Sequence, residues 1–330
     1  MGAIDRREFI LAAGALLVAR EAFAQRAPNR VHVIGILEYA SRAGFEALLP
    51  AFRDGLREGG FAEDRNLRIE YRFADYDYLK LDRLAEELVR ARVEVIYAPS
   101  TWPTRAAHAA TKTIPIVFSG VNDPVPHRFV QSLARPGGNV TGVSLASADL
   151  TAKRVQLLRE VFSGARRLGV VYDADAAKAC GIELKEIATA AKQLGVEVQP
   201  LPYAAKADLD GAFAKARQTN ILAMLVPTTY ETRRFGPDLV AQSSSSRIPL
   251  MHAGRDAVEA GGLMSYGPEA GWGARRAGNY VARILGGARP ADLPVERPDR
   301  YELVINLKTA RALGLKIPPS ILLRADRIIE

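Results

Sequence analysis

The stretch VHVIGILEYASRAGFEALLPAFRDGLREGG, residues 31–60, joins a strand pattern to a helix pattern. Its first seven residues are mostly apolar, and four of them are β-branched, which predicts a buried strand. Apolar residues then follow at the spacing of one helix face: Phe45, Leu48, Leu49, Phe52 and Leu56. Gly59 and Gly60 would end this helix. A strand followed by a helix is the repeating unit of a parallel sheet.

The same alternation continues along the rest of the chain. The other predicted strands are 67–73, 93–98, 114–119, 139–145, 168–172, 196–201, 221–226, 248–252, 262–268 and 301–306. The other predicted helices are 79–92, 182–194, 209–217 and about 269–285. Right-handed crossovers place helices on both faces of such sheets. The predicted fold class is therefore α/β.

Length and organisation favour two lobes. A chain of 330 residues with 48% hydrophobic residues exceeds what one typical core needs. The strand–helix cycle restarts near residue 146 without a proline-rich linker, and the last strands return towards earlier ones. We predict one lobe from 31–144 plus about 258–288, and a second from 145–257 plus about 289–330, joined by a hinge.

The first 24 residues have the pattern of an export signal. Arg6 and Arg7 precede about ten apolar residues, and Ala22-Phe23-Ala24 is a site for cleavage after Ala24. The apolar run is about half as long as a bilayer span requires. Arg-Arg-x-Phe-Ile-Leu is similar to a twin-arginine signal, and a general-secretion signal is the alternative. Either route predicts a periplasmic protein.

Charge, cysteine content and motifs argue against several functions. The formal net charge is +8, but Lys and Arg form no run of five, so we expect no nucleic-acid binding. The single cysteine, Cys180, excludes internal disulfides and CxxC motifs. Four scattered histidines predict no metal site. The chain lacks a dinucleotide fingerprint, a Walker loop and a Gly-x-Ser-x-Gly motif, so we expect neither a cofactor nor catalysis.

Polar and aromatic residues follow the predicted strands, which is where ligands bind in open α/β sheets. In the first lobe the candidate ligand-binding residues are Tyr39, Ser41, Ser100, Thr101, Asn122 and Asp123. In the second lobe they are Tyr172, Asp173, Thr228, Thr229, Tyr230 and Arg255. Asp123 would bind an ammonium group and Arg255 a carboxylate. Helix capping is the alternative role for each Ser, Thr and Asp.

Two stretches are together specific enough to indicate a protein family, although either one alone would be a weak indication. They are RPGGNVTG at 135–142 and LVINLKTA at 303–310. With others along the mature chain, they resemble the bacterial ABC-transporter substrate-binding proteins that include tryptophan/tyrosine-type components. The resemblance implies a type I periplasmic-binding fold, with two Rossmann-like lobes and three crossings. It implies a monomeric receptor that closes on a small polar ligand, such as an amino acid, and presents it to an ABC permease and ATPase.

Two departures from the family pattern lie at the candidate site. The loop over 173–177 carries two carboxylates and three alanines, and the stretch 100–103 is bulkier than the usual glycine-rich turn. The ligand's identity therefore stays open. An exported sensor of the same fold, which signals to a receptor instead of a permease, is the alternative function.

Overall fold

The computed structural model describes residues 30–144, 148–175, 177–228 and 234–330. The strands are β1 His32–Glu38, β2 Leu67–Phe73, β3 Val95–Pro99, β4 Ile116–Ser119, β5 Val140–Val143, β6 Arg167–Asp173, β7 Glu197–Tyr203, β8 Met224–Leu225, β9 Leu250–His252, β10 Met264–Gly267, β11 Glu302–Asn306 and β12 Arg327–Ile329. The helices are α1 Arg42–Glu46, α2 Leu49–Glu58, α3 Leu81–Arg90, α4 Thr101–Ala110, α5 Ala148–Val161, α6 Ala177–Gln193, α7 Asp208–Gln218, α8 Gly236–Ser246, α9 Arg255–Glu259, α10 Trp272–Leu285, α11 Leu307–Ala312 and α12 Pro319–Leu322. The predicted export signal lies outside these ranges.

The strands form two sheets. The first has the order β2-β1-β3-β4-β5, and all its pairs are parallel. The second has the order β12-β11-β10-β9-β8-β6-β7 and is parallel except for the β10–β11 pair. The chain leaves this sheet after β10 and re-enters it from the same side, so β11 must run in the opposite direction. The predicted α/β class is confirmed.

Helices cover both faces of each sheet. In the first lobe, α3 and α4 pack on one face, and α1, α2 and α10 pack on the other. In the second lobe, α5, α6 and α12 contribute to the core on one face, and α7 and α8 to the core on the other. The helix predicted over 45–56 is broken in two, because Pro50 is tolerated in the first turn of α2 but cannot continue α1.

The chain crosses between the lobes three times, after β5, after β10 and before β11. Two predicted lobe boundaries need correction. The segment from about 258 to Gly267 belongs to the second lobe, because β10 pairs with β9 and β11. The segment from about 289 to Glu296 belongs to the first, because the Val295 amide donates to the Leu133 carbonyl oxygen. Backbone hydrogen bonds between distant segments decided both boundaries, and apolar periodicity does not show such bonds.

Helix α10 docks on α2 through glycines. A Cβ atom on Gly55 would collide with the Arg275 carbonyl oxygen, and one on Gly278 with the Phe52 carbonyl oxygen. The Asn279 side-chain amide adds a 2.9 Å hydrogen bond to the Gly55 carbonyl oxygen. This close approach holds α10 on the first lobe, next to a crossing. Within the described part of the chain, no helix has the length and hydropathy needed to cross a bilayer.

Candidate ligand-binding cleft

A cleft of about 420 Å³ lies between the two lobes. Ser119 ends β4, Thr228 follows β8 and His252 ends β9, so the cleft lies at the carboxyl ends of parallel strands. Gly44 and Leu48 from the α1–α2 region form part of its first-lobe wall. Its volume falls within the range of about 300–1,000 Å³ that is usual for small-molecule sites.

The cleft wall is largely apolar, with contributions from the α1–α2 region and α10 on one side and from α8 and α9 on the other. Small or aliphatic residues form this wall, namely Ala47, Leu48, Pro237, Leu239, Ala257 and Ala274. Charged residues line the same cleft and include Arg255, Asp256 and Glu269. The site therefore offers an apolar surface for the body of a ligand and charged groups for its polar ends.

Arg255, a predicted ligand-binding residue, lines the cleft, and its guanidinium has protein partners. Its Nη1 atom lies 3.2 Å from Glu302 Oε2, and its Nε atom lies 3.4 Å from Glu259 Oε1. A ligand carboxylate would have to compete with these two carboxylates. The ion pair with Glu302 therefore gives Arg255 a structural role, because it holds the N-terminus of α9 against β11.

Three other predicted side chains support local turns. Ser41 Oγ accepts a hydrogen bond from the Gly44 amide at 3.2 Å and caps α1. Asp123 Oδ1 accepts from the Val125 amide at 3.2 Å, and Asp173 Oδ1 accepts from the Asp175 amide at 2.8 Å. The alternative capping and turn roles are thus present for these residues, and their ligand contacts stay a prediction.

The junction between β3 and α4 has an unusual backbone conformation at Ser100. Ser100 has φ 74° and ψ 173°, a backbone region that favours glycine. Its amide donates to the Ser119 carbonyl oxygen at 2.7 Å, which ties it to the cleft wall. Its Oγ atom is buried and has no hydrogen-bond partner among the described residues. Thr101, also buried, begins α4. Ser100 is the predicted site residue with a free buried hydroxyl in the described part of the chain.

The remaining predicted residues have different surroundings. Tyr39 is buried, and its ring meets that of Tyr76 edge to face at 5.7 Å between centroids. Tyr172 is partly buried against the core beneath α5 and α6, and it does not line the cleft described above. Thr229 and Tyr230 lie outside the described residues.

Asn122 and Thr228, both predicted to bind ligand, contact each other across the lobes. Asn122 Nδ2 donates to the Thr228 carbonyl oxygen at 3.0 Å and to Glu183 Oε2 at 3.3 Å. The Thr228 amide also donates to Glu183 Oε2, at 2.7 Å, and its hydroxyl accepts from Arg154 Nη1. The polar groups named here are therefore engaged with protein partners.

Arg154 and Glu183 are the residues that the sequence analysis missed. Their side chains are 0% and 1% exposed, and Arg154 Nη1 lies 3.3 Å from Glu183 Oε1. Burial lowers the pKa of Arg154 and raises that of Glu183, and the attraction between the two charges opposes both shifts. Both residues lie on helix faces, whereas the residues predicted to bind the ligand follow strands. The sequence contains one indication of a buried charge, because Arg154 lies between Leu150 and Leu158 on the apolar face of α5.

His252 is buried in the cleft wall, and its Nε2 atom has no hydrogen-bond partner within the described ranges. Burial lowers its pKa from 6.5 to about 4, against the weaker opposite effect of Asp256. The imidazole is therefore neutral near pH 7. Over the part of the chain that the structure describes, no three His, Cys, Asp or Glu side chains gather in a metal-binding group.

A family model described as "ABC transporter substrate binding protein" matches residues 31–329. The chain belongs to this family. A tyrosine-binding protein of Clostridioides difficile strain R20291 is 28% identical to this substrate-binding protein over 284 residues, which are 86% of this chain and 81% of the relative. The predicted family and its function as the substrate-binding component of an ABC transporter are confirmed. Members of this family bind substrates and are not classed as enzymes.

Two solved structures are informative about the fold. The ABC domain from Streptococcus pneumonia in complex with L-Trp is 26% identical and has a TM-score of 0.82, with 91% of this chain and 100% of that one covered. The ligand-free, open form of a Clostridium difficile substrate-binding protein with adhesive properties is 25% identical and has a TM-score of 0.66, with 91% and 99% covered. The predicted type I fold is confirmed.

Proposed function

We propose that this substrate-binding protein is exported to the periplasm, captures an amino acid with an apolar side chain, and delivers it as a monomer to an ABC permease and ATPase. The observation that carries the proposal is the cleft of about 420 Å³ between the lobes. It combines an apolar wall with charged groups of both signs, which suits a zwitterion with an apolar body.

The ligand's carboxylate would bind at the N-terminus of α4. The Ser100 hydroxyl is buried without a partner among the described residues, and the first-turn N–H groups of a helix attract negative charge. A carboxylate placed there would supply the hydrogen-bond acceptor that this hydroxyl needs. Thr101, at the start of the same helix, lies next to this position.

The ligand's ammonium group and side chain would lie towards the second lobe and the hinge. Asp256 and Glu269 line the cleft and provide negative charge for an ammonium group. Pro237 and Leu239 of the second lobe supply the apolar contact for the side chain, and Leu48 faces the same cleft from the first lobe. The relatives named above, a tyrosine-binding protein and an L-Trp complex, support an aromatic side chain.

Isothermal titration of the mature chain, residues 25–330, tests this function. L-tryptophan and L-tyrosine are titrated beside L-leucine, L-glutamate and a neutral sugar, and a thermal-shift assay runs in parallel. A ligand at a hundred times its Kd stabilises the folded state by about 2.7 kcal/mol. Saturable binding of an apolar amino acid supports the proposal. Binding of the sugar or glutamate in preference to all apolar amino acids would contradict it.

Replacement of both signal arginines, Arg6→Lys with Arg7→Lys, tests the export route. A twin-arginine signal is expected to lose export, so the unprocessed chain accumulates in the cytoplasm, whereas a general-secretion signal tolerates the change. Fractionation followed by mass measurement of the mature N-terminus provides the readout. Periplasmic protein that starts at Gln25 in both wild type and variant would reject the twin-arginine route and keep the periplasmic location.

A further inference from the structure

The side-chain amide of Asn122 donates hydrogen bonds from the first lobe to the second. Its Nδ2 atom donates to the Thr228 carbonyl oxygen at 3.0 Å and to Glu183 Oε2 at 3.3 Å. The backbone carbonyl oxygen of Asn122 accepts a 2.7 Å hydrogen bond from Ser144 Oγ, close to the first crossing. Both partners of the side-chain amide are acceptors, which fixes its orientation. These donors are used between the lobes and do not face a ligand.

Several hydrogen bonds hold the second-lobe side of this contact in place. Glu183 is fully buried and is held by Arg154 and by the Thr228 amide. Arg154 in turn donates from Nε to the Tyr266 carbonyl oxygen at 2.7 Å and from Nη2 to the Ala253 carbonyl oxygen at 3.4 Å. The guanidinium thus joins the segments that follow β8 and β9 to β10. It presents Glu183 and Thr228 to the first lobe as a preformed pair of acceptors.

The relative placement of the lobes agrees with a closed arrangement. At nearly equal identity and the same 91% coverage of this chain, the TM-score is 0.82 against the L-Trp complex and 0.66 against the ligand-free, open relative. A second contact crosses the cleft at another point, where the Arg234 guanidinium of the second lobe lies 5.1 Å from the centroid of the Tyr76 ring. The Asn122 contact therefore belongs to the closed form.

We propose that Asn122 is a latch that stabilises lobe closure, and that Arg154 and Glu183 are the positioning residues that hold its acceptors. Opening the hinge separates Asn122 from Glu183 and leaves a buried carboxylate without one of its hydrogen bonds, which disfavours the open state. Part of the free energy of closure then comes from protein contacts alone. This inference rests on the proposed function only because closure of the lobes encloses the ligand. It predicts that Asn122 controls the affinity for the ligand without touching the ligand.

Small-angle X-ray scattering of the ligand-free mature chain tests the latch without any ligand. The variants are Asn122→Ala, Asn122→Asp and the matched control Asn139→Ala. Asn139 also donates two amide hydrogen bonds, at 3.2 and 2.8 Å, but both go to carbonyl oxygens of its own lobe. Asn122→Ala is expected to raise the radius of gyration above that of wild type and Asn139→Ala. Asn122→Asp would open the lobes at least as far, because its carboxylate would face that of Glu183.

The second measurement is titration with L-tryptophan as the probe. Loss of two hydrogen bonds from the closed state is expected to weaken binding about tenfold in Asn122→Ala and to leave Asn139→Ala unchanged. An unchanged radius of gyration in both Asn122 variants, or equal opening in Asn139→Ala, would overturn the latch. If scattering shows opening but wild type binds no amino acid, the proposed function fails and the latch stands.

Discussion

Arg154 Nη1 lies 3.3 Å from Glu183 Oε1, and the two side chains are 0% and 1% exposed to solvent. Each charge comes from a helix, α5 or α6, and both side chains contact Thr228, which lines the cleft. Arg154 also hydrogen-bonds backbone carbonyls near the ends of β9 and β10. An ion pair that organises strand ends is a structural element of the cleft, whatever ligand the cleft holds.

Replacing one member of this pair is expected to be costly. Arg154→Met leaves Glu183 buried with its charge unpaired, which should lower the free energy of unfolding by about 3–5 kcal/mol. The double variant Arg154→Met with Glu183→Met should recover much of that loss. Urea unfolding measures both.

The control for this pair is Arg90→Ala. Arg90 lies 2.9 Å from Glu86 on the surface, with side chains 66% and 62% exposed, so its loss should cost less than about 1 kcal/mol. Equal losses in Arg154→Met and Arg90→Ala would show that burial does not matter here.

Alanine replacements of two serines that follow strands in the first lobe should have different effects, one on ligand binding and the other on stability. Ser100→Ala removes the buried hydroxyl that has no partner in the described chain, so it should weaken L-tryptophan binding about tenfold and leave stability within about 1 kcal/mol. Ser41→Ala removes the cap of α1, so it should cost about 1 kcal/mol of stability and leave binding unchanged. Calorimetric titration measures the binding of both variants, and urea unfolding measures their stability. Weaker binding in Ser41→Ala together with unchanged binding in Ser100→Ala would exclude Ser100 from the site.

Stability should depend on the protonation of His252. The folded protein keeps this imidazole neutral down to about pH 4, whereas the ordinary pKa is 6.5. Between these values the unfolded state binds the extra proton, so stability is complete above pH 6.5 and falls by about 3 kcal/mol towards pH 4. The variant His252→Leu should have a flatter profile over that interval. Unfolding curves at half-unit pH steps measure the difference, and parallel profiles would reject this origin of the acid sensitivity.

Two helical glycines should respond to alanine in opposite directions. Gly278→Ala would force its Cβ into the Phe52 carbonyl oxygen, so it should destabilise the first lobe by about 1–3 kcal/mol. Gly211→Ala in α7 meets nothing within 4 Å, so it should stabilise by about 0.5–1 kcal/mol through its helix propensity. Thermal unfolding of the two variants checks the sign. Destabilisation by Gly211→Ala would contradict the open surroundings of that position.

The candidate site could be predicted only in part. Thr228 and Arg255 do line the cleft, because they follow strands that end there. Asn122 was predicted from the same rule, yet its amide bonds to the second lobe. Position after a strand indicates that a residue lies near the cleft, and it does not tell which partner the side chain meets. The lobe boundary near residue 258 was wrong for a similar reason, since β10 could have joined either sheet.

The sequence by itself determined the alternation of strands and helices, the two-lobed fold and the family, because apolar periodicity and turn residues act over a few neighbouring positions. Tertiary structure alone decided which polar groups meet. Arg154 and Glu183 are 29 residues apart in the chain, Asn122 and Glu183 are 61 apart, and Asn122 and Thr228 are 106 apart. The Arg154–Glu183 contact depends on how two helices pack on one sheet, and the Asn122 contacts depend on how the two sheets are oriented about a hinge. No local sequence pattern encodes either arrangement.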